Sequence, residues 1–251
     1  MRHDSATPEK DMTPSYSIPV FSRSLGSWRL SVERSAFDQG VLAAHYDKKS
    51  EQWQNIVDRY GFVPAYQGLI QGVMCHPHYR QHASSLRVLD AGVGTGAMSA
   101  AFREHMDGHL VLDAVDISQA MLQQAQQRLR HPKTTLNLRR ANLANLPYAD
   151  SSFDVVLAAH VIEHLPDPKV ALAELYRVLK PGGILIGSIT RTSLFGALVQ
   201  MLWRTHRVSS SVALNWLNAC GLQATRIIPY RTDSPASRLS LGCVGRKPSF
   251  T

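Results

Sequence analysis

Residues 86–96, LRVLDAGVGTG, carry the strongest pattern in the chain. Leu86, Val88 and Leu89 form an apolar run suited to a buried strand. The run ends in a carboxylate, Asp90, and breaks into alternating glycines before a helical pattern opens at Ala97. The reading is strand, tight turn, helix start. Gly92, Gly94 and Ala97 fit the G-x-G-x-x-G/A spacing of the dinucleotide fingerprint, so a nicotinamide or flavin ligand has to be weighed first. Asp90 argues against it. A carboxylate at the strand's carboxyl end would repel a pyrophosphate seated on the helix N-terminus and attract a ligand bearing an ammonium or sulfonium group.

The alternation continues downstream. Met98, Ala101, Phe102 and Met106 make a helical stripe that Gly108 stops, and a second strand, Leu110 to Asp116, again ends in an acid. Asp116 lies 20 positions beyond Gly96, where an acid accepts hydrogen bonds from ribose hydroxyls in nucleotide-binding folds. Ser118 can cap the next helix, whose Met121, Leu122, Ala125 and Leu129 face the sheet. A third strand, Leu136 to Ala141, leads into ANLANLPYADSSFDVV, and a fourth, Phe153 to Ala159, opens into HVIEHLPDP. His160, Glu163 and His164 match the H-x-x-E-H of certain zinc proteases, but Pro166 and Pro168 leave no room for the sustained helix that such ligation needs, so no metal is expected. Asp167 instead caps a helix from Pro168, with Leu172, Leu175, Tyr176 and Leu179 on one face. LKPGG at 179–183 ends that helix and starts a fifth strand, Ile184 to Ile189. An apolar, helical insertion, Ser193 to Trp203, follows, flanked by Arg191, Arg204, His206 and Arg207. A helix from Ser211 to Ala219 and strands near Gln223 to Tyr230 and Leu239 to Arg246 complete the chain.

Upstream, residues 1–35 are polar, broken by Pro8, Pro14 and Pro19, and read as a mobile tail. Residues 36–82 read as a helical cap with Tyr46, Trp53, Ile56, Val57 and Tyr60 on one face, then Tyr66, Leu69, Ile70 and Val73. Core packing is the expected use of this aromatic stripe.

At 251 residues, the length suits one α/β domain with insertions. No apolar run reaches the ~18 residues of a membrane span, and the N-terminus lacks a signal-peptide core, so a soluble, cytoplasmic protein is expected. Cys75, Cys220 and Cys243 are odd in number and widely spaced, which argues against a disulfide framework. Charge is uneven: residues 1–190 hold 19 Lys and Arg against 18 Asp and Glu, and residues 191–251 hold 8 against 1. That basic segment suits an anionic substrate, a lipid surface or nucleic acid, or is a solvated face.

The first motif, with AVDISQAML, the run from Ala141 to Gly183 and Asp90 itself, resembles the class I S-adenosylmethionine-dependent methyltransferases of the UbiE-like, small-molecule type. The resemblance implies an α/β, Rossmann-like doubly wound sheet of seven strands with the last reversed. A helical N-terminal cap (36–82) precedes the binding domain (83–251), and the helical insertion (191–210) follows strand five beside the substrate. It implies S-adenosylmethionine as cofactor, S-adenosylhomocysteine as product and a small-molecule acceptor. The implied cofactor contacts are Asp90, Gly92, Gly94, Gly96, Asp116, Ile117, Met121, Asn142, Leu143, Ala159 and His160. Asn142 stands where the family has an Asp, which forfeits charge assistance to the adenine amino group. His160, at a strand's carboxyl end, is the candidate general base. A contact between the insertion and an anionic lipid surface is a further expectation. An RNA methyltransferase, a non-catalytic cofactor-binding regulator and an NAD oxidoreductase are the rivals; Asp90 opposes the last, and no added nucleic-acid module supports the first.

Overall fold

The computed structural model describes residues 17–35, 39–79, 85–165, 167–191, 208–230 and 233–249. An antiparallel hairpin comes first, β1 (Ser17–Leu25) and β2 (Trp28–Ser35). Two helices follow, α1 (Gln39–Arg59) and α2 (Phe62–Met74). The α/β unit then runs β3 (Arg87–Ala91), α3 (Ala97–Glu104), β4 (Leu110–Asp116), α4 (Gln119–Leu129), β5 (Thr134–Arg140) and β6 (Phe153–Ala159). After a 3₁₀ turn (Ile162–His164) come α5 (Pro168–Val178), β7 (Leu179–Thr190), α6 (Ser210–Ala219), β8 (Gln223–Ile228), α7 (Pro235–Leu239) and β9 (Ser240–Arg246).

Seven strands form one sheet in the order β5-β4-β3-β6-β7-β9-β8, with β9 antiparallel to both neighbours. Strand alternation sorts the apolar side chains onto two faces. Val88, Leu112, Val155, Leu157 and Ile184 join α2, α3 and α4 in one core, whereas Leu89, Val115, Val156 and Leu185 join α5 and α6 in the other. The sheet is therefore covered on both sides, as a doubly wound parallel sheet requires. The chain runs outward from β3 to β5, then crosses back to lay β6 on the other side of β3. That reversal opens a crevice beyond the carboxyl ends of β3 and β6, where such folds bind ligands.

Three expectations change. Residues 17–35, read as part of a tail, form the hairpin; residues 1–16 lie outside the described residues. β7 begins at Leu179, which already pairs with Phe153, and the Pro-Gly-Gly stretch makes an irregularity inside the strand rather than a loop before it. The C-terminal cations are in part structural. Lys247 is buried and its Nζ donates to Tyr176 O (2.9 Å) and Leu179 O (2.7 Å) at the C-terminus of α5, where the helix dipole favours a cation. Arg246 Nη1 donates to His78 O at 2.6 Å. The insertion Ser193 to Trp203, with Arg204, His206 and Arg207, lies outside the described residues.

Candidate functional site

The turn after β3 is held open by backbone geometry. Gly92, Gly94 and Gly96 have φ of 79°, 52° and 80°, a region where a side chain is strained. Gly92 N and Val93 N donate to Val115 O at 2.8 and 2.9 Å, and Gly94 N donates to Asp116 Oδ2 at 2.9 Å, so β4 fixes the turn. A Cβ on Gly92 would lie 2.8 Å from Val161 Cβ. On Gly94 it would meet only Trp53 Nε1, at 3.8 Å, because this glycine faces open space. Gly96 differs from its expected role: its added Cβ would meet Leu129 at 3.1 Å, and it lines neither of the two cavities described below. Its lack of a side chain lets α3 start close against α4.

Asp90 is 1% exposed. Its Oδ2 accepts from Ser99 Oγ at 2.5 Å, while Oδ1 is buried with no hydrogen-bond partner among the described residues. Burial pushes the carboxyl up to about 7; the Ser99 bond opposes this and the Asp116 charge adds to it. A buried carboxylate oxygen without a donor is costly unless a cation or donor arrives. The residue lines a small cavity that shares Trp53, Gly92, Gly94 and Ala159 with the main cleft.

That cleft gathers Gly92, Gly94, Asp116, Ile117, Met121, Asn142, Leu143, Ala159 and His160, nine of the expected contacts, from β3, β4, α4, β6 and the loop after β5. Asp116 accepts from Gly94 N on one oxygen and Ser118 N on the other, both at 2.9 Å. Burial raises its pKa against these bonds, and the nearby Asp47 charge raises it further. Asn142 Oδ1 accepts from Ala144 N at 2.9 Å, which shapes the loop after β5.

Several lining residues were not expected from sequence. α1 contributes Tyr46 and Trp53, and the β6 end contributes Val161, His164 and Leu165. Tyr46 Oη is 2.8 Å from His164 Nδ1. Burial, with the Asp116 and Glu163 charges, holds the Tyr46 hydroxyl well above the usual tyrosine range. The neighbouring Asp47 Oδ1 accepts from Ser118 Oγ (2.5 Å) and Ala120 N (3.2 Å), which ties α1 to the N-terminus of α4. The adjacent Tyr46-Asp47 pair was the available signal, but two residues cannot show that their partners lie far along the chain.

His160 is placed differently from a simple general base. Its φ is 52°, its side chain is 6% exposed, and its ring nitrogens meet a buried polar cluster. Nδ1 lies 3.4 Å from Glu163 Oε1 and 3.2 Å from Thr190 Oγ1, while Nε2 lies 2.9 Å from Ser188 Oγ and 3.1 Å from Ser240 Oγ. Tyr230 Oη extends the cluster to Ser188 Oγ at 2.6 Å. Glu163 is 0% exposed and accepts from Thr190 N and Thr190 Oγ1. Burial alone would raise its pKa, but the bond and charge of His160, with His164 and Thr190, hold it below the usual value. The two histidines of H-x-x-E-H thus engage different partners, His160 the cluster under the cleft and His164 the tyrosine of α1.

The family described as "Methyltransferase domain" matches residues 89–187. A demethylmenaquinone methyltransferase of Lactiplantibacillus plantarum is 36% identical over 120 residues, covering 44% of this chain and 51% of that protein. A 2-methyl-6-phytyl-1,4-hydroquinone methyltransferase of Oryza sativa is 31% identical over 144 residues, covering 57% of this chain and 42% of that one. The chain thus spans about half, or less, of the length of these curated relatives. A solved S-adenosylmethionine-dependent methyltransferase of Thermotoga maritima shares the fold with a TM-score of 0.64 at 22% identity, covering 82% of this chain and 99% of that one.

Proposed function

We propose that this chain, which is similar to methyltransferases over its cofactor half, is a class I S-adenosylmethionine-dependent methyltransferase that transfers a methyl group from S-adenosylmethionine to a hydroquinone-type small molecule. The observation that carries the cofactor reading is Asp90 Oδ1, a buried acceptor without a donor beside an open glycine turn. A ligand ammonium supplies the missing donor and charge. Asp116, at the end of the next strand, supports ribose hydroxyls with lone pairs left after its two backbone bonds. Ile117, Met121 and Leu143 give an apolar bed for the adenine, and the Asn142 carbonyl can accept from its amino group. The cofactor supplies a methyl group on a positive sulfur that leaves as a neutral thioether.

What remains for the protein is to orient the acceptor, exclude water and remove a proton. Trp53, Val161 and Leu165 offer apolar walls suited to an aromatic ring. An aromatic hydroxyl has to lose its proton before the ring carbon becomes a strong nucleophile, and once the methyl group is in place that carbon's own proton moves to the phenolate oxygen, which restores the aromatic ring and the hydroxyl. Tyr46 and His164 support that step: Tyr46 takes the acceptor's proton while passing its own to His164 Nδ1, 2.8 Å away. His160, with both ring nitrogens in the buried cluster, is better suited to positioning the end of β6. The acceptor class follows the relatives, a demethylmenaquinone methyltransferase and a 2-methyl-6-phytyl-1,4-hydroquinone methyltransferase. Incubation with methyl-labelled S-adenosylmethionine and a prenyl hydroquinone that has a free ring position, in detergent, should yield a labelled C-methyl product. No label in any phenolic or hydroquinone acceptor, with cofactor binding intact, would overturn the acceptor class.

His164→Ala should lower kcat about a hundredfold, in the range of a lost proton acceptor, with S-adenosylmethionine Kd nearly unchanged and the deficit shrinking at high pH. Matching losses in rate and cofactor affinity would make His164 a cofactor contact instead. Asp90 also sets a pH dependence. Its carboxyl titrates at about 7 in the unliganded protein, and only the ionised form pairs with the ligand's ammonium. Kd should therefore rise as pH falls through 7, about fivefold between pH 7 and 6 and by a factor approaching ten per unit below that, a slope that calorimetry between pH 5.5 and 7 reads directly. A flat profile there would remove Asp90 as the ammonium's partner.

A further inference from the structure

We propose that the β1–β2 hairpin is a docking element that seats the protein on an anionic lipid surface. Residues 23–31, the whole outer half of the hairpin, are exposed. Among the described residues four large hydrophobic side chains are exposed, and three of them are here: Leu25 at 56%, Trp28 at 80% and Leu30 at 56%. The register sets Leu25 opposite Trp28 and Arg23 opposite Leu30. Directly opposed residues share a face, and so do residues two apart on a strand. Arg23, Leu25, Trp28 and Leu30 therefore lie together, while Ser24 and Arg29, paired with each other, lie on the reverse. A two-stranded hairpin is marginal in water on its own, and an apolar patch of this kind marks a contact surface.

The chemistry of the patch selects the occupant. An indole flanked by leucines suits the boundary between headgroups and acyl chains, where its apolar body and N–H are both satisfied. Arg23 and Arg29 supply cations on both faces, and no acidic residue occurs from Ser17 to Val32 in a chain of net charge +8. Two copies docked patch to patch would bring their Arg23 side chains into the seam without a neutralising acid, which disfavours self-association. Phosphate-bearing headgroups neutralise them.

Three residues link Ser35 to α1, and Tyr46 follows Gln39 by two turns, a rise of about 10 Å. Docking through the hairpin thus ties α1, which lines the cleft, to the bilayer through a short connection. The purpose of such docking rests on the lipid-tailed acceptor proposed above, but its detection does not.

Sedimentation with vesicles of phosphatidylcholine, with or without phosphatidylglycerol, tests it without any acceptor. Wild type should pellet with the anionic vesicles at low salt. The triple variant Leu25→Ser, Trp28→Ser, Leu30→Ser should lose about tenfold in bound-to-free ratio, and Arg23→Gln with Arg29→Gln should remove most of the salt dependence. Because these side chains are exposed, both variants should keep wild-type melting and S-adenosylmethionine affinity, which separates lost docking from lost folding. Absence of wild-type pelleting, or pelleting unchanged in the triple variant, would overturn the proposal. So would a concentration-dependent dimer that the triple variant dissolves. A negative methylation assay alongside normal vesicle binding would fault the acceptor assignment and not the docking surface.

Discussion

Asp90→Asn should raise the Kd for S-adenosylmethionine about a hundredfold, equivalent to roughly 3 kcal/mol, the worth of a charge-assisted bond made in a buried site. The same variant should melt no lower than wild type at pH 8. Burial raises the Asp90 carboxyl from 3.8 to about 7, so the folded state holds its proton more tightly than the unfolded state. The linked stability is complete below about pH 4 and is lost as pH rises through 7, an effect on the order of 4 kcal/mol. A neutral amide can still accept from Ser99 Oγ and escapes that penalty. Lost binding together with retained or raised stability is the signature of a residue kept for its ligand. Calorimetry and thermal melts at pH 8 read both halves, and a variant that binds normally would remove Asp90 from the site.

Glu163→Ala should be the most damaging single change to stability. The carboxylate is fully buried and accepts from Thr190 N at 3.0 Å and Thr190 Oγ1 at 2.6 Å, with His160 Nδ1 at 3.4 Å. Truncation strands these donors in a place water does not reach, at about 3 kcal/mol. For a chain of this size that is a fall of roughly 6–12 °C in Tm. Hydrogen bonds and the facing imidazoles hold the Glu163 pKa below its ordinary 4.5, so its contribution is present above that value and lost as pH falls beneath it. The gap between wild type and variant should accordingly narrow in acid. Glu163→Gln, which keeps one acceptor, should fall between them. A loss under about 1 kcal/mol at pH 7 would show that the cluster is not fully desolvated.

Where local pattern and tertiary demand agree, the sequence is legible. β4 and β6 occupy Leu110–Asp116 and Phe153–Ala159, the bounds expected from their apolar runs. α5 starts at Pro168 behind Asp167, whose Oδ1 accepts from Lys169 N at 2.9 Å. The hairpin reads as a tail because serines and arginines lower its hydrophobicity. Its signal was the two-residue Gly26-Ser27 loop between alternating strands, with Gly26 at φ 60°. Tyr46 and His164 were illegible for a different reason: they meet across 118 positions. His160 was correctly placed at a strand end, but spacing alone gave no sign that Ser188, Thr190 and Ser240 would take up its ring. Gly96 shows that a motif glycine can serve packing while its neighbours line the cleft.

We propose that the crevice at the ends of β3 and β6 is an S-adenosylmethionine site and not a dinucleotide site. One calorimetric titration at pH 7.5, S-adenosylmethionine against the protein with NAD as the parallel titrant, tests it most directly. Saturable binding of S-adenosylmethionine at one site per chain and no heat from NAD are the expected results. Saturable binding of NAD with none of S-adenosylmethionine would contradict it.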